Sequence, residues 1–426
     1  MSISLVACGS TGNKPAMTAT DSIAVTMKAA ATAISMEDSD RLSKTCEYWY
    51  NRNLKNPGFN GGIVVAKNGH IVFEKYKGTG HLKARDSITE NTAFHIASVS
   101  KTFTAMAVLK LWQEGKLNMD EEFSKYYPEF NYPGVTIRSM LNHRSGLPNY
   151  VHYLEQIRWN QTKFATNEDV LSTLIRYKGR LQNTSAPNRH FEYCNTNYAL
   201  LALLVEKISG KKFPDYLNET FFIPLGMKNT KVFLPTDIGH VTPSYDWNGF
   251  QVPFNYLDVV YGDKNVYSTP RDLLLWDRGL VSGGLFSPAT LAEAYAGYSH
   301  EKDGIKNYGL GWRMNEYPNG KKIIFHNGWW HGNNASFIRL LQDSATIIVL
   351  GNKFNGIIYH AKELAGLFGN YGGGSMSEEG ETSTTTTVRH RTRTVARTKN
   401  IKTKKTTGKA PKKARTVKKP RVKKRR

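Results

Sequence analysis

Apolar residues fall along this chain in different rhythms, and each rhythm predicts a different element. Gly61 to Tyr76 is rich in β-branched and aromatic residues on either side of Asn68-Gly69, a dipeptide suited to the left-handed positions of a tight turn, so this stretch predicts a β-hairpin. Met106, Ala107, Val108, Leu109, Leu111 and Trp112 surround most of a helix circumference, the pattern of a core helix. A second apolar helix is predicted from Thr196 to Ser209, with Gly210 at its stop position. Strand character returns near 308–315, 321–326, 335–341 and 345–351, with Asn319-Gly320 as a further hairpin signal. Strands, a mostly helical stretch over about 99–260, then strands again predict an α+β fold: an antiparallel sheet flanked by helices with a mostly helical inserted subdomain. A ligand cleft is expected at their junction.

Charge divides the chain. The formal net charge is +23 over 426 residues, but the 19 Lys and Arg from Arg389 onward, with no Asp or Glu among them, leave +4 for residues 1–388. Three regions follow: an N-terminal tether (1–37), a folded body (38–372) and a strongly basic tail (373–426) predicted to be disordered. Such a tail suits nucleic acid, anionic lipid or acidic wall polymer, bound through counterion release without base stacking. Leu5-Val6-Ala7-Cys8 resembles a bacterial lipoprotein cleavage box with Cys8 as the lipidated residue, although the segment ahead of it is too short for a secretory signal. The expected location is the bacterial cell envelope, or the cytoplasm if that box is coincidental. No transmembrane helix is predicted. Cys8, Cys46 and Cys194 show no disulfide framework.

The chemistry starts at Ser98-Val99-Ser100-Lys101. Three residues advance an α-helix about 4.5 Å and about 300°, which puts Ser98 and Lys101 within reach of each other. A serine becomes nucleophilic when a neighbouring base takes its proton, and a lysine acts as that base when burial favours its neutral form. Ser98 also reads as a simple N-cap. Tyr193-Cys194-Asn195 stands just before the second apolar helix, and His326-Asn327-Gly328-Trp329-Trp330 lies between two runs of strand character, where a glycine allows close backbone approach. His143 reads as structural, Trp329 and Trp330 as core residues or pocket lining, and His331 as part of a solvent-facing turn. No metal-ligand spacing, dinucleotide fingerprint or phosphate loop is present, so no metal or cofactor is expected.

Taken together, Ser98-x-x-Lys101, Tyr193-x-Asn195 and His326-x-Gly328 resemble the three active-site elements of the serine β-lactamase-like, penicillin-recognising hydrolases, in particular the class C-related branch. That branch holds class C β-lactamases, D-alanyl-D-alanine carboxypeptidases, D-aminopeptidases and β-lactamase-fold esterases. Thr136–Pro148, Phe222–Met227, Tyr267–Leu273 and Tyr308–Trp312 match as well, and the resemblance runs from about 40 to about 370. It implies an acyl-enzyme on Ser98, with Lys101 and Tyr193 moving protons, Asn195 orienting substrate, and the backbone N–H groups of Ser98 and Trp329 stabilising the oxyanion. Ester or amide bonds of D-amino-acid peptides, esters or β-lactam-like compounds are the implied substrates. A lysine usual at position 326 is here a histidine, which weakens the antibiotic-hydrolase reading and predicts carboxylate binding that fades as His326 loses its proton. Thiol modification at Cys194 is expected to block the pocket. The alternative is a catalytically weak penicillin-binding-like module held to polyanions by its tail.

Overall fold

The computed structural model describes residues 32–372 apart from positions 56, 57, 83 and 182. Cys8, the tether up to residue 31 and the basic tail from 373 onward lie outside the described residues.

Seven strands form one antiparallel sheet: β1 (Gly61–Lys67), β2 (His70–Lys77), β3 (Lys306–Tyr308), β4 (Arg313–Glu316), β5 (Lys322–Trp330), β6 (Asn333–Leu340) and β7 (Ala345–Gly351), in the spatial order β2-β1-β7-β6-β5-β4-β3. The predicted hairpin closes at Asn68 and Gly69, both with positive φ, +50° and +74°. The run read as one strand over 308–315 is two strands, because Gly309–Trp312 turns between them and Gly311 has a φ of +86°. The stretch His326–Trp330 is the second half of β5 rather than a link between strands.

Strand alternation explains why both faces are covered. Val64, Ile324, Phe337 and Ile348 point into a core shared with the helices, whereas Ile63, Phe325, Ile338 and Ile347 point into a second core. The second core is closed by α1 (Met36–Asn53), through Leu42, Cys46 and Trp49, and by a helical segment over Gly356–Leu367. The larger core holds α2 (Ser100–Gln113), α3 (Asn195–Ser209) and α4 (Pro270–Val281). Helix α3 stops at Gly210, whose φ of +71° suits a glycine cap. Beyond residue 225 the expected helical stretch gives way to loops with two-residue strands at Lys231–Val232, Ser244–Tyr245 and Gln251–Val252.

A buried ion pair ties α4 to the sheet. Arg339 Nε on β6 donates to Asp277 Oδ1 at 2.5 Å, Thr346 donates to the other carboxylate oxygen at 2.6 Å, and Arg339 also donates to Tyr295. Removing one partner of such a pair strands the other charge away from water. Asp277→Ala is expected to cost about 3–5 kcal/mol in urea unfolding; a loss under ~1 kcal/mol would show that the pair is not a structural tie.

Candidate active site

Ser98 lies in a 3₁₀ turn, Ala97–Val99, that runs straight into α2. Ala97 has a φ of +48°, a left-handed conformation that costs a residue with a Cβ on the order of 1–3 kcal/mol. His95 braces it. Its Nδ1 accepts the Ala97 N–H at 3.1 Å, and its Nε2 donates to Asn265 Oδ1 at 2.9 Å. Burial lowers the His95 pKa to about 4, which keeps Nδ1 free to accept.

One helical turn on, Lys101 is completely buried. Its Nζ lies 3.1 Å from Ser98 Oγ and donates to Asn195 Oδ1 and to the backbone carbonyl of Asp263, both at 2.8 Å. Asn195 is the first residue of α3. Tyr193, two residues earlier, sets its ring 4.9 Å from Lys101 Nζ. The four residues thus come from two helix starts that face each other.

β5 closes the other side. A Cβ on Gly328 would stand 2.3 Å from Ile96 O and 3.0 Å from Ser98 N, so only glycine lets this strand lie against the nucleophile turn. The backbone of Gly328-Trp329 therefore runs alongside that of Ser98, at the positive end of α2. The Trp329 indole turns aside and donates to His331 O at 2.8 Å.

His326 differs from expectation. It is fully buried, its Nδ1 donates to Asn327 O at 2.7 Å, and its Nε2 accepts from the Tyr308 hydroxyl at 3.2 Å. Burial, then the charge of Arg313, holds its pKa well below the usual imidazole value. A proton-gated grip on substrate carboxylates is not available from a ring already neutral and engaged on both nitrogens. The cation at this end is Arg313, which sits on β4 opposite Phe325 and brings its guanidinium to 5.0 Å from the Tyr193 ring.

His143 packs behind Tyr193 with ring centroids 4.3 Å apart. Its backbone φ is +58°, and its Nδ1 accepts the Cys194 N–H at 3.1 Å, which fixes the segment between Tyr193 and Asn195. Burial pushes the Cys194 thiol up to about 11, and Sγ donates to Leu147 O at 3.3 Å. The expected inhibition by thiol modification is therefore corrected: this sulfur is buried and protonated. Neither His95, His143 nor Arg313 carries a sequence signal of its role beyond its residue type. Among the described residues no group of His, Cys, Asp or Glu is placed to hold a metal ion.

The sequence profile described as Beta-lactamase matches residues 53–365. Penicillin-binding protein 4* of Bacillus subtilis is 32% identical over 311 residues, covering 69% of this chain and 68% of the relative. The D-aminopeptidase of Brucella ovis is 28% identical over 318 residues, 71% of this chain; the matched part is 57% of that relative's length. Among solved structures, the octameric penicillin-binding protein homologue from Pyrococcus abyssi superposes with a TM-score of 0.65 at 23% identity over 76% of each chain. FmtA from Staphylococcus aureus gives 0.62 at 21% identity, over 79% of this chain and 92% of that one. These two likenesses speak for the fold.

Three buried histidines make the fold sensitive to acid. Unfolded, each takes a proton near pH ~6.5; folded, His95 does so near 4, and His143 and His326 well below their ordinary value, with burial the leading cause in each. Below pH ~6.5 the unfolded chain binds more protons, so stability falls with pH by about 1.4 kcal/mol per unit per histidine. Their contribution is flat above pH ~7. Denaturant midpoints should drop steeply between pH ~6.5 and ~4.5, and a midpoint unchanged down to pH ~5 would show that these rings are protonated in the fold.

Proposed function

The chain belongs to the Beta-lactamase family, and on that premise we propose that it is a serine hydrolase cleaving ester or amide bonds of D-amino-acid peptides, esters or β-lactam-like compounds through an acyl-enzyme on Ser98. The observation that carries the reading is the setting of Lys101. Its amine donates to two carbonyl-type oxygens at 2.8 Å and lies 3.1 Å from Ser98 Oγ, the hydroxyl that must lose its proton. An uncharged amine so held takes the serine proton as oxygen attacks the substrate carbonyl. Tyr193, packed against the same amine, passes that proton to the leaving group as the tetrahedral intermediate collapses. Water then attacks the acyl-enzyme by the same route in reverse. Developing charge on the carbonyl oxygen meets the Ser98 and Trp329 N–H groups and the start of α2.

Arg313 supports a leaving group that carries a carboxylate, because a guanidinium keeps its charge at every working pH. The names of the relatives, penicillin-binding protein and D-aminopeptidase, point to peptides with D-residues. They also support a place in the bacterial cell envelope, with Cys8 as the proposed lipid anchor.

A fluorophosphonate should label the protein at Ser98 and fail to label Ser98→Ala; an adduct mapped to another side chain would overturn the assignment. Lys101→Met and Tyr193→Phe are each expected to lower kcat/KM by about 10²–10⁴-fold. Arg313→Met should raise KM for D-alanyl-D-alanine peptides about tenfold or more, the worth of a charged hydrogen bond, while p-nitrophenyl acetate is cleaved as before. Equal losses on both substrates would remove Arg313 from carboxylate binding.

A further inference from the structure

The carbonyl that accepts from Lys101 belongs to a segment, Gly262 to Val266, that follows the first turn of α2 closely. Thr104 Oγ1 donates to Gly262 O at 2.6 Å, Lys101 Nζ donates to Asp263 O at 2.8 Å, and the Val266 N–H donates to Ser100 Oγ at 3.1 Å. Ser100, Lys101 and Thr104 fall within an arc of about 100° on the helix, so one side of it carries all three bonds. Gly262 permits the approach: its φ is +95°, and a Cβ there would stand 2.4 Å from Tyr198 O on α3. Asn265 extends the hold to the serine turn. Its Oδ1 accepts from His95, and its Nδ2 donates to Asp258 O at 2.7 Å and Val260 O at 2.8 Å.

Three polar side chains close a ring around the peptide between Asp263 and Lys264. Lys264 Nζ donates to the Tyr150 hydroxyl, that hydroxyl donates to the Asp263 carboxylate oxygens at 3.0 Å and 3.1 Å, and the Lys264 ammonium lies 3.5 Å from the same carboxylate. All three residues are buried. The ammonium also stands 4.9 Å from the Tyr150 ring and 4.8 Å from that of Trp330 on β5. Tyr150 is itself tied to α3, because its backbone N–H donates to Thr196 Oγ1 at 2.7 Å. Burial lowers the Lys264 pKa, against the pull of Asp263 and Asp258. An ion pair this deep costs a desolvation that its attraction only roughly returns, so net stability is a poor reason for it. Its place is more telling. The pair flanks one peptide bond, and the oxygen of that peptide is the one to which Lys101 donates.

We propose that Lys264 is a positioning residue for the base: with Asp263 and Tyr150 it fixes the 263–264 peptide so that the Asp263 carbonyl holds Lys101 Nζ at Ser98. The proposal rests on Ser98 as nucleophile and Lys101 as its base. A peptide whose two neighbouring side chains are locked to each other cannot swing its oxygen by rotating as a plane. Once the lock is gone the oxygen drifts, and a misplacement of about 1 Å at a reacting group costs on the order of 10²-fold in rate. Lys264 contacts Tyr150, Asp263 and Trp330, so its influence reaches Ser98 through that peptide and Lys101.

Lys264→Met keeps the bulk of the side chain and removes its charge. On p-nitrophenyl acetate it should lower kcat about tenfold or more with KM unchanged, and slow fluorophosphonate labelling of Ser98 by the same factor. In a Lys101→Met background it should slow labelling no further, since a residue that acts through the base then has nothing to act on. Tyr150→Phe deletes one oxygen and keeps the ring; it should repeat both results at about threefold or more, the worth of one hydrogen bond, and replaces Lys264→Met if that variant does not fold. An equal further loss in the Lys101→Met background would make Lys264 a general support of the fold and overturn the positioning role. A raised KM with kcat unchanged would overturn it in favour of substrate binding. A wild type left unlabelled at Ser98 would overturn the proposal together with the hydrolase reading, whereas labelling at Ser98 that is indifferent to both variants would overturn the proposal alone.

Discussion

A fully buried amine joins the pieces of this site. Lys101 Nζ links α2 to α3 through Asn195 and to the loop before Ser268 through the Asp263 carbonyl, and Ser98 shares the same nitrogen. A buried amine without such partners would be costly, so the three elements are held together by the need to keep it hydrogen-bonded. The same contacts orient it. Two oxygens accept from it at 2.8 Å and Ser98 Oγ lies 3.1 Å away, so the place of the serine and the packing of the helices depend on one set of distances.

Around that amine the backbone is placed with little freedom. Ala97 keeps a left-handed φ that its own side chain disfavours, and His95 compensates by accepting its N–H from a ring buried enough to stay neutral. Gly328 lets β5 approach until its Cα would tolerate no side chain, and His143 pins the peptide between Tyr193 and Asn195. Each brace is a neutral group that accepts or makes room.

Much was legible in the order of residues, and for local reasons. The hairpin at Asn68-Gly69, the helix ending at Gly210 and the reach from Ser98 to Lys101 depend on neighbours within a few positions, where turn chemistry and helical periodicity act directly. The strand read over 308–315 was misplaced because Gly309–Trp312 breaks it, and apolar content alone does not reveal a turn between two short strands. His326 was misjudged for a related reason. Its residue type suggests a titrating group, but its protonation depends on burial and on Tyr308 and Arg313, which pattern alone does not bring together.

By itself, then, the sequence determined the first hairpin, the two apolar helices, the α+β order and the identity of the Ser98-Lys101 pair, since each follows from contacts between near neighbours. Tertiary structure alone decided which groups surround that pair. His95 meets Asn265 across 170 positions, Lys101 meets the Asp263 carbonyl across 162, and Arg313 comes to 5.0 Å from the Tyr193 ring. Such partners are chosen by packing and by the requirement that buried polar atoms be satisfied, conditions set by the whole fold and by no short stretch of it.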